Sequence, residues 1–177
     1  MARDIIEEVA LDNYGFITTK DAVEAGVPAI ELPKLAERGG LKNIAYGIYR
    51  VSNIPSTPYD QFAEGLLRVG EGACLYGESV LALFGLANVN SRKVKIATTR
   101  RARPKLPPYI ELTKIKSRVP TTFYEGLCSQ TVTDAIISCR GRIENERLKK
   151  AAQQARVEVL LTTVEWELVM KDLKHGL

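Results

Sequence analysis

The chain predicts an α+β protein, an N-terminal helix–strand–helix–helix–hairpin module followed by a mixed α/β domain. Three observations carry that expectation. Helical periodicity and short β-type runs alternate within the first 50 residues. A proline-rich polar stretch, Ser52 to Tyr59, interrupts the pattern. Beyond it, two alternating strand segments sit among segments of helical spacing.

The elements follow in order. Ile5, Ile6, Val9 and Ala10 line one face of a helix over 3–13, which Tyr14-Gly15 ends. Phe16-Ile17-Thr18 is a short strand. A second helix begins with Thr18 or Thr19 as its cap and Asp21 in its first turn, and stops at Gly26. Val27-Pro28 opens a third segment with Ile30, Leu32 and Leu35 as its apolar positions and Gly39-Gly40 as its stop. Pro33 conflicts with a helix starting at Pro28, because a proline inside a helix removes a bond and clashes one turn back, at a cost of ~3 kcal/mol. A late start or a local kink resolves the conflict. Strand formers on both sides of Tyr46-Gly47 then read as a hairpin closing at Val51. That order is the order of a winged helix-turn-helix, whose third helix enters the major groove and whose hairpin is the wing.

The expected organisation is therefore a winged helix-turn-helix at 1–51, a linker at 52–58 and an α/β domain at 59–177. Helices are expected at 60–69, 73–86, 130–139, 143–155 and 161–173. Val94 to Thr98 and Tyr109 to Thr113 are expected to answer each other as the arms of a basic hairpin spanning 92–118.

Composition narrows the function. The 177 residues are 45% hydrophobic and 26% charged, an ordinary globular balance. No apolar run nears the ~20 residues a spanning helix needs, and the acidic start MARDIIEEVALDN does not resemble a signal peptide. The expectation is a cytoplasmic protein without a membrane partner. Cys74, Cys128 and Cys139 are widely spaced and odd in number, which fits reduced thiols. His175 is the one histidine, so chemistry needing a histidine base or a histidine ligand cluster is excluded.

Charge is unevenly placed. The net charge is +4, yet residues 1–58 hold 6 basic and 8 acidic side chains, and 92–118 hold ten Lys/Arg against Glu111 alone. A basic block of that density suggests a polyanion partner.

Enzyme signatures are missing. There is no E-x-K, P-loop or G-x-G-x-x-G, and Gly77-Glu78-Ser79 lacks the second glycine of a nucleophile elbow. Glu144 and Glu146 beside Lys149 and Lys150 have the spacing of a solvated helix face. The chain is expected not to be an enzyme, and to need no cofactor and no metal.

Several segments carry a family resemblance. They are Ile17-Thr18-Thr19, Ala25-Gly26-Val27, Leu32 to Leu35 with Gly39, and Gly47-Ile48-Tyr49-Arg50, then LYGESVLALFGL and, more loosely, Thr121-Thr122 to Thr133-Asp134-Ala135. Together they resemble the AbiEi-type antitoxins of bacterial type IV toxin–antitoxin (abortive-infection) systems. The resemblance implies a transcriptional autoregulator that binds repeats in its own operon promoter. It also implies that the protein counteracts a nucleotidyltransferase-like toxin, often without a stable complex.

The candidate DNA-binding residues are Thr19, Lys20, Pro28, Ala29, Glu31, Lys34, Arg38, Lys42 and Arg50 in the first domain. In the second they are Arg92, Lys93, Arg100, Arg101, Arg103 and Lys105. Within the third helical segment Lys34 and Arg38 are balanced by Glu31 and Glu37, so phosphate affinity must come largely from the basic block. The alternative reading is a protein-interaction module whose basic face binds an acidic protein.

Overall fold

A computed structural model describes residues 1–89, 91–101 and 105–174. The chain is α+β and divides into two compact units, Met1–Arg68 and Val69–Leu177.

In the first unit, α1 (Ala2–Leu11), β1 (Phe16–Thr18), α2 (Thr19–Glu24), α3 (Glu31–Glu37), β2 (Leu41–Ala45), β3 (Ile48–Val51) and most of α4 (Asp60–Val69) follow the expected order. The strands form an antiparallel sheet in the order β1-β3-β2. Ile6, Ala10, Ile17, Ala22, Val27, Leu32, Leu41 and Val51 are its buried core. Thr18 caps α2, its hydroxyl accepting from the Asp21 amide at 3.1 Å while the Asp21 carboxylate accepts from the Thr18 amide at 3.0 Å. This reciprocal box satisfies two backbone donors that the helix leaves open.

The Pro33 conflict is resolved by a late start. Residues 28–30 form a turn, with the Glu31 amide donating to the Pro28 carbonyl at 2.9 Å, and Pro33 is the third residue of α3. The first-turn amide that proline lacks has no intrahelical partner in any helix.

The β2–β3 hairpin carries a bulge. Asn43 pairs with Tyr49 and Ala45 with Ile48, which leaves Ile44 as the extra residue. Its carbonyl is satisfied from α4, where Arg68 Nη2 donates to it at 2.7 Å and Arg68 Nε binds Glu64 at 2.7 Å. The segment expected to be a linker is likewise held on the first unit. Ser52 bonds to Gly39 and Gly40, and Ile54 packs on the core.

The second unit is built on a five-stranded mixed sheet in the order β6-β5-β4-β8-β7. Its elements are β4 (Cys74–Leu75), α5 (Glu78–Leu83), β5 (Val94–Thr98), β6 (Ile110–Lys114), β7 (Thr121–Tyr124), β8 (Leu127–Gln130), α6 (Val132–Ser138), α7 (Asn145–Val157) and α8 (Thr163–Lys174). Threonine caps recur, at Thr131 for α6 and at Thr162 with Glu165 for α8. Leu148, Ala151, Ala152 and Ala155 give α7 one buried face at helical spacing.

Two expectations are corrected. The 73–86 helix is in fact a two-residue strand, a turn at Tyr76-Gly77 and the short helix α5, because Cys74-Leu75 pairs with both β5 and β8. The basic hairpin 92–118 does not form. β5 and β6 are parallel, in register from Val94↔Ile110 to Thr98↔Lys114, so the connection between them is a crossover and not a hairpin loop.

Candidate nucleic-acid interface

In the first unit α2, α3 and the hairpin turn surround an open cleft of about 570 Å³, lined by Thr18, Thr19, Lys20, Ala29, Pro33, Asn43, Tyr46 and Gly47 among others. The turn is tied to the start of α2 by the Thr19 amide, which donates to the Gly47 carbonyl at 2.9 Å. Of the expected set, Thr19, Lys20 and Ala29 line this cleft. Lys20, Pro28, Ala29, Lys34, Arg38 and Lys42 are exposed, and Thr19 and Glu31 are half-buried.

Their electrostatics differ. Lys34 Nζ lies 2.9 Å from Glu31 Oε1, and Lys20 lies 3.7 Å from Glu24, so neither cation is unopposed. Arg38 and Lys42 have no ion pair among the described residues. Two residues that sequence reasoning missed share the surface, Asn43 and Tyr46, the latter with its whole side chain in solvent at the hairpin turn. The Tyr46-Gly47 turn signal would have pointed to both.

Arg50 is removed from the interface. Its side chain is only 15% exposed. One guanidinium nitrogen donates to the carbonyls of Gly15 and Val51 at 3.3 and 2.9 Å, and the other to Ile54, Pro55 and Asp60 at 3.0, 3.3 and 3.2 Å. Both terminal nitrogens of the guanidinium are engaged inside the protein. A guanidinium held this way binds the 52–60 segment to the sheet, with its fork turned to the protein's own carbonyls and Asp60.

In the second unit Arg92, Lys93, Arg101 and Lys105 are exposed, with no ion pair among the described residues. Arg100 Nη1 pairs with Glu71 at 3.0 Å, and both side chains are well exposed. Arg103 lies outside the described residues. Lys95, counted in the same basic block, belongs to an interior cluster. Its ammonium lies 2.9 Å from Glu78 and 3.5 Å from Glu111, and Arg142 Nε lies 3.4 Å from Glu78. Burial alone would raise the Glu78 pKa, but the hydrogen bond from Lys95, a backbone bond and the charges of Lys95 and Arg142 outweigh it and hold the carboxyl below its ordinary value.

Among the described residues no three His, Cys, Asp or Glu side chains are grouped to hold a metal ion, and no helix is long and apolar enough to cross a membrane.

No protein-family model matches the chain, and no curated protein matches it. Among solved structures, the crystal structure of the RV2827C protein from Mycobacterium tuberculosis is similar at 15% identity and a TM-score of 0.49, covering 97% of this chain and 80% of that one.

Proposed function

We propose that the first unit is a winged helix-turn-helix and that the chain is a cytoplasmic, DNA-binding autoregulator of its own operon. The observation that carries the reading is the common exposure, around one cleft, of α3 and the hairpin turn. Pro33 of α3 lines that cleft with Asn43 and Tyr46 of the hairpin, and the same two elements carry the exposed cations Lys34, Arg38 and Lys42. A helix and a two-stranded ribbon side by side are the shapes that fit the major groove and its flanking backbone.

Base readout and phosphate affinity fall to different parts of the chain. α3 is electrically balanced, so it discriminates between sequences more than it adds affinity. Arg92, Lys93, Arg101 and Lys105 supply phosphate contacts that the first unit lacks. The role as an antitoxin against a nucleotidyltransferase-like toxin rests on the resemblance of the sequence segments named above, and no enzymatic step is assigned.

A gel shift with a promoter fragment and a random duplex, at several salt concentrations, tests the reading. Lys34→Ala and Arg38→Ala should weaken specific binding by about 1–3 kcal/mol each while changing random binding less. No promoter binding by the unaltered chain would overturn it, and retention of an acidic protein by the basic block would then favour the interaction-module reading.

A further inference from the structure

The sheet of the second unit sets two of the three cysteines side by side. β4 and β8 are parallel neighbours, with Leu75 opposite Ser129. One residue earlier on each strand stand Cys74 and Cys128. Adjacent strands lie ~4.8 Å apart, and directly opposed residues project from the same sheet face. That spacing is inside the 4.4–6.8 Å Cα range over which disulfides form.

Both thiols also line the same cavity, about 350 Å³, whose walls include Ile115, Val119 and Phe123 and whose charged lining residue is Arg118. Cys74 is 3% exposed, whereas Cys128 is half-buried and the more accessible of the pair. Burial raises the Cys74 thiol to about 11, and the nearby Cys128 adds to the rise. Burial also raises Cys128, against a hydrogen bond with Thr121. Cys139 is fully buried elsewhere, beside Gly77 and Ser138.

We propose that Cys74 and Cys128 are a thiol pair that closes into a reversible intrachain disulfide when a hydroperoxide enters the cavity. Cys128, the more accessible sulfur, attacks one peroxide oxygen. The O–O bond breaks, Cys128 becomes a sulfenic acid, and the other oxygen leaves as water after taking the thiol proton. Cys74 sulfur then attacks Cys128 sulfur, the S–O bond breaks, and the departing hydroxide leaves as a second water with the Cys74 proton. The two thiols lose two electrons and two protons, and one hydrogen peroxide is reduced to two waters. A dithiol reductant reverses the bond. Because the thiolate is the reacting form and burial holds both thiols protonated, closure is slow at neutral pH and speeds as the pH rises.

The test treats the full chain with hydrogen peroxide, blocks remaining thiols with N-ethylmaleimide and maps unreduced peptides by mass spectrometry. The expected result is a peptide pair joined through Cys74 and Cys128, lighter by two hydrogens, with Cys139 carrying the maleimide. Cys139→Ser should keep the joined pair, and Cys128→Ser, at a half-buried position, should abolish it while the chain keeps its circular dichroism. Three outcomes would overturn the proposal: a bridge through Cys139, chains joined to one another, or Cys128 driven to sulfinic acid with Cys74 still free. Should Cys74→Ser fail to fold, the peptide map of the unaltered chain and the Cys128→Ser variant decide the matter.

Discussion

Removing the Arg50 guanidinium should unlock the first unit, and the size of the effect follows from its contacts. The side chain makes five hydrogen bonds, four to carbonyls and one to the Asp60 carboxylate, and it sits 5.3 Å over the Phe16 ring. Bonds to a charged group contribute about 1.5–3 kcal/mol each when singly removed. These share one group, and the freed carbonyls regain water, so Arg50→Ala should cost about 3 kcal/mol. Gly15→Ala reaches the same contacts from the other side. A Cβ there would lie 1.8 Å from Arg50 Nη1, at a backbone φ of +78°. The left-handed backbone costs alanine about 1 kcal/mol, and expelling the guanidinium forfeits roughly the 3 kcal/mol of the lock. Once Arg50 is alanine the clash is gone and only the backbone strain remains. The double variant should therefore lose about 4 kcal/mol rather than about 7, a coupling of about 3 kcal/mol. Urea unfolding of the four chains measures the cycle, with hydrogen exchange at the β3 amides reporting on the first unit. Additivity within ~0.5 kcal/mol would refute the lock and return Arg50 to the list of free cations.

Replacing Arg92, Lys93 and Arg101 by alanine should lower DNA affinity on every sequence and reduce the slope of log affinity against log salt by up to about three, near 0.9 for each phosphate contact; an unchanged slope places these residues off the DNA. Lys95→Met should leave Glu78 with Arg142 at 3.4 Å as its remaining cation and destabilise the second unit by about 3 kcal/mol, read by Trp166 fluorescence in urea. The depressed Glu78 carboxyl contributes stability that is complete above its ordinary value of 4.5 and is lost as pH falls through its lower native value. The acid limb of stability should accordingly flatten in Lys95→Met, and an identical limb in both chains would show that the pair carries none of it. Alkylation of the native chain at neutral pH should reach Cys128 first, because Cys139 is fully buried and its thiol is pushed up to about 12 by burial and then by Glu78; equal labelling of all three cysteines contradicts that order.

Local signals made most of the first unit legible. Thr18 with Asp21 marks the start of α2, Gly26 its end, and Tyr46-Gly47 the hairpin turn, because caps and tight turns depend on residues within four positions of one another. Apolar periodicity likewise placed α4, α6, α7 and α8 to within a few residues. The cleft was legible only in part: Thr19, Lys20 and Ala29 were expected, while Asn43 and Tyr46 joined them only through the hairpin's position beside α2.

Sequence by itself determined the α+β class, the segment order of the first unit, the shortage of histidine and the crowding of positive charge into 92–118. Tertiary structure alone decided the direction of β5 against β6, the strand hidden in Cys74-Leu75, and which cations remain free. Strand direction depends on the route of the connection; Lys95 is claimed by Glu78 and Glu111 from other elements, and Arg50 by carbonyls and an acid that the chain folds back around it. A residue's composition gives its charge; the partners that claim that charge are set by the fold.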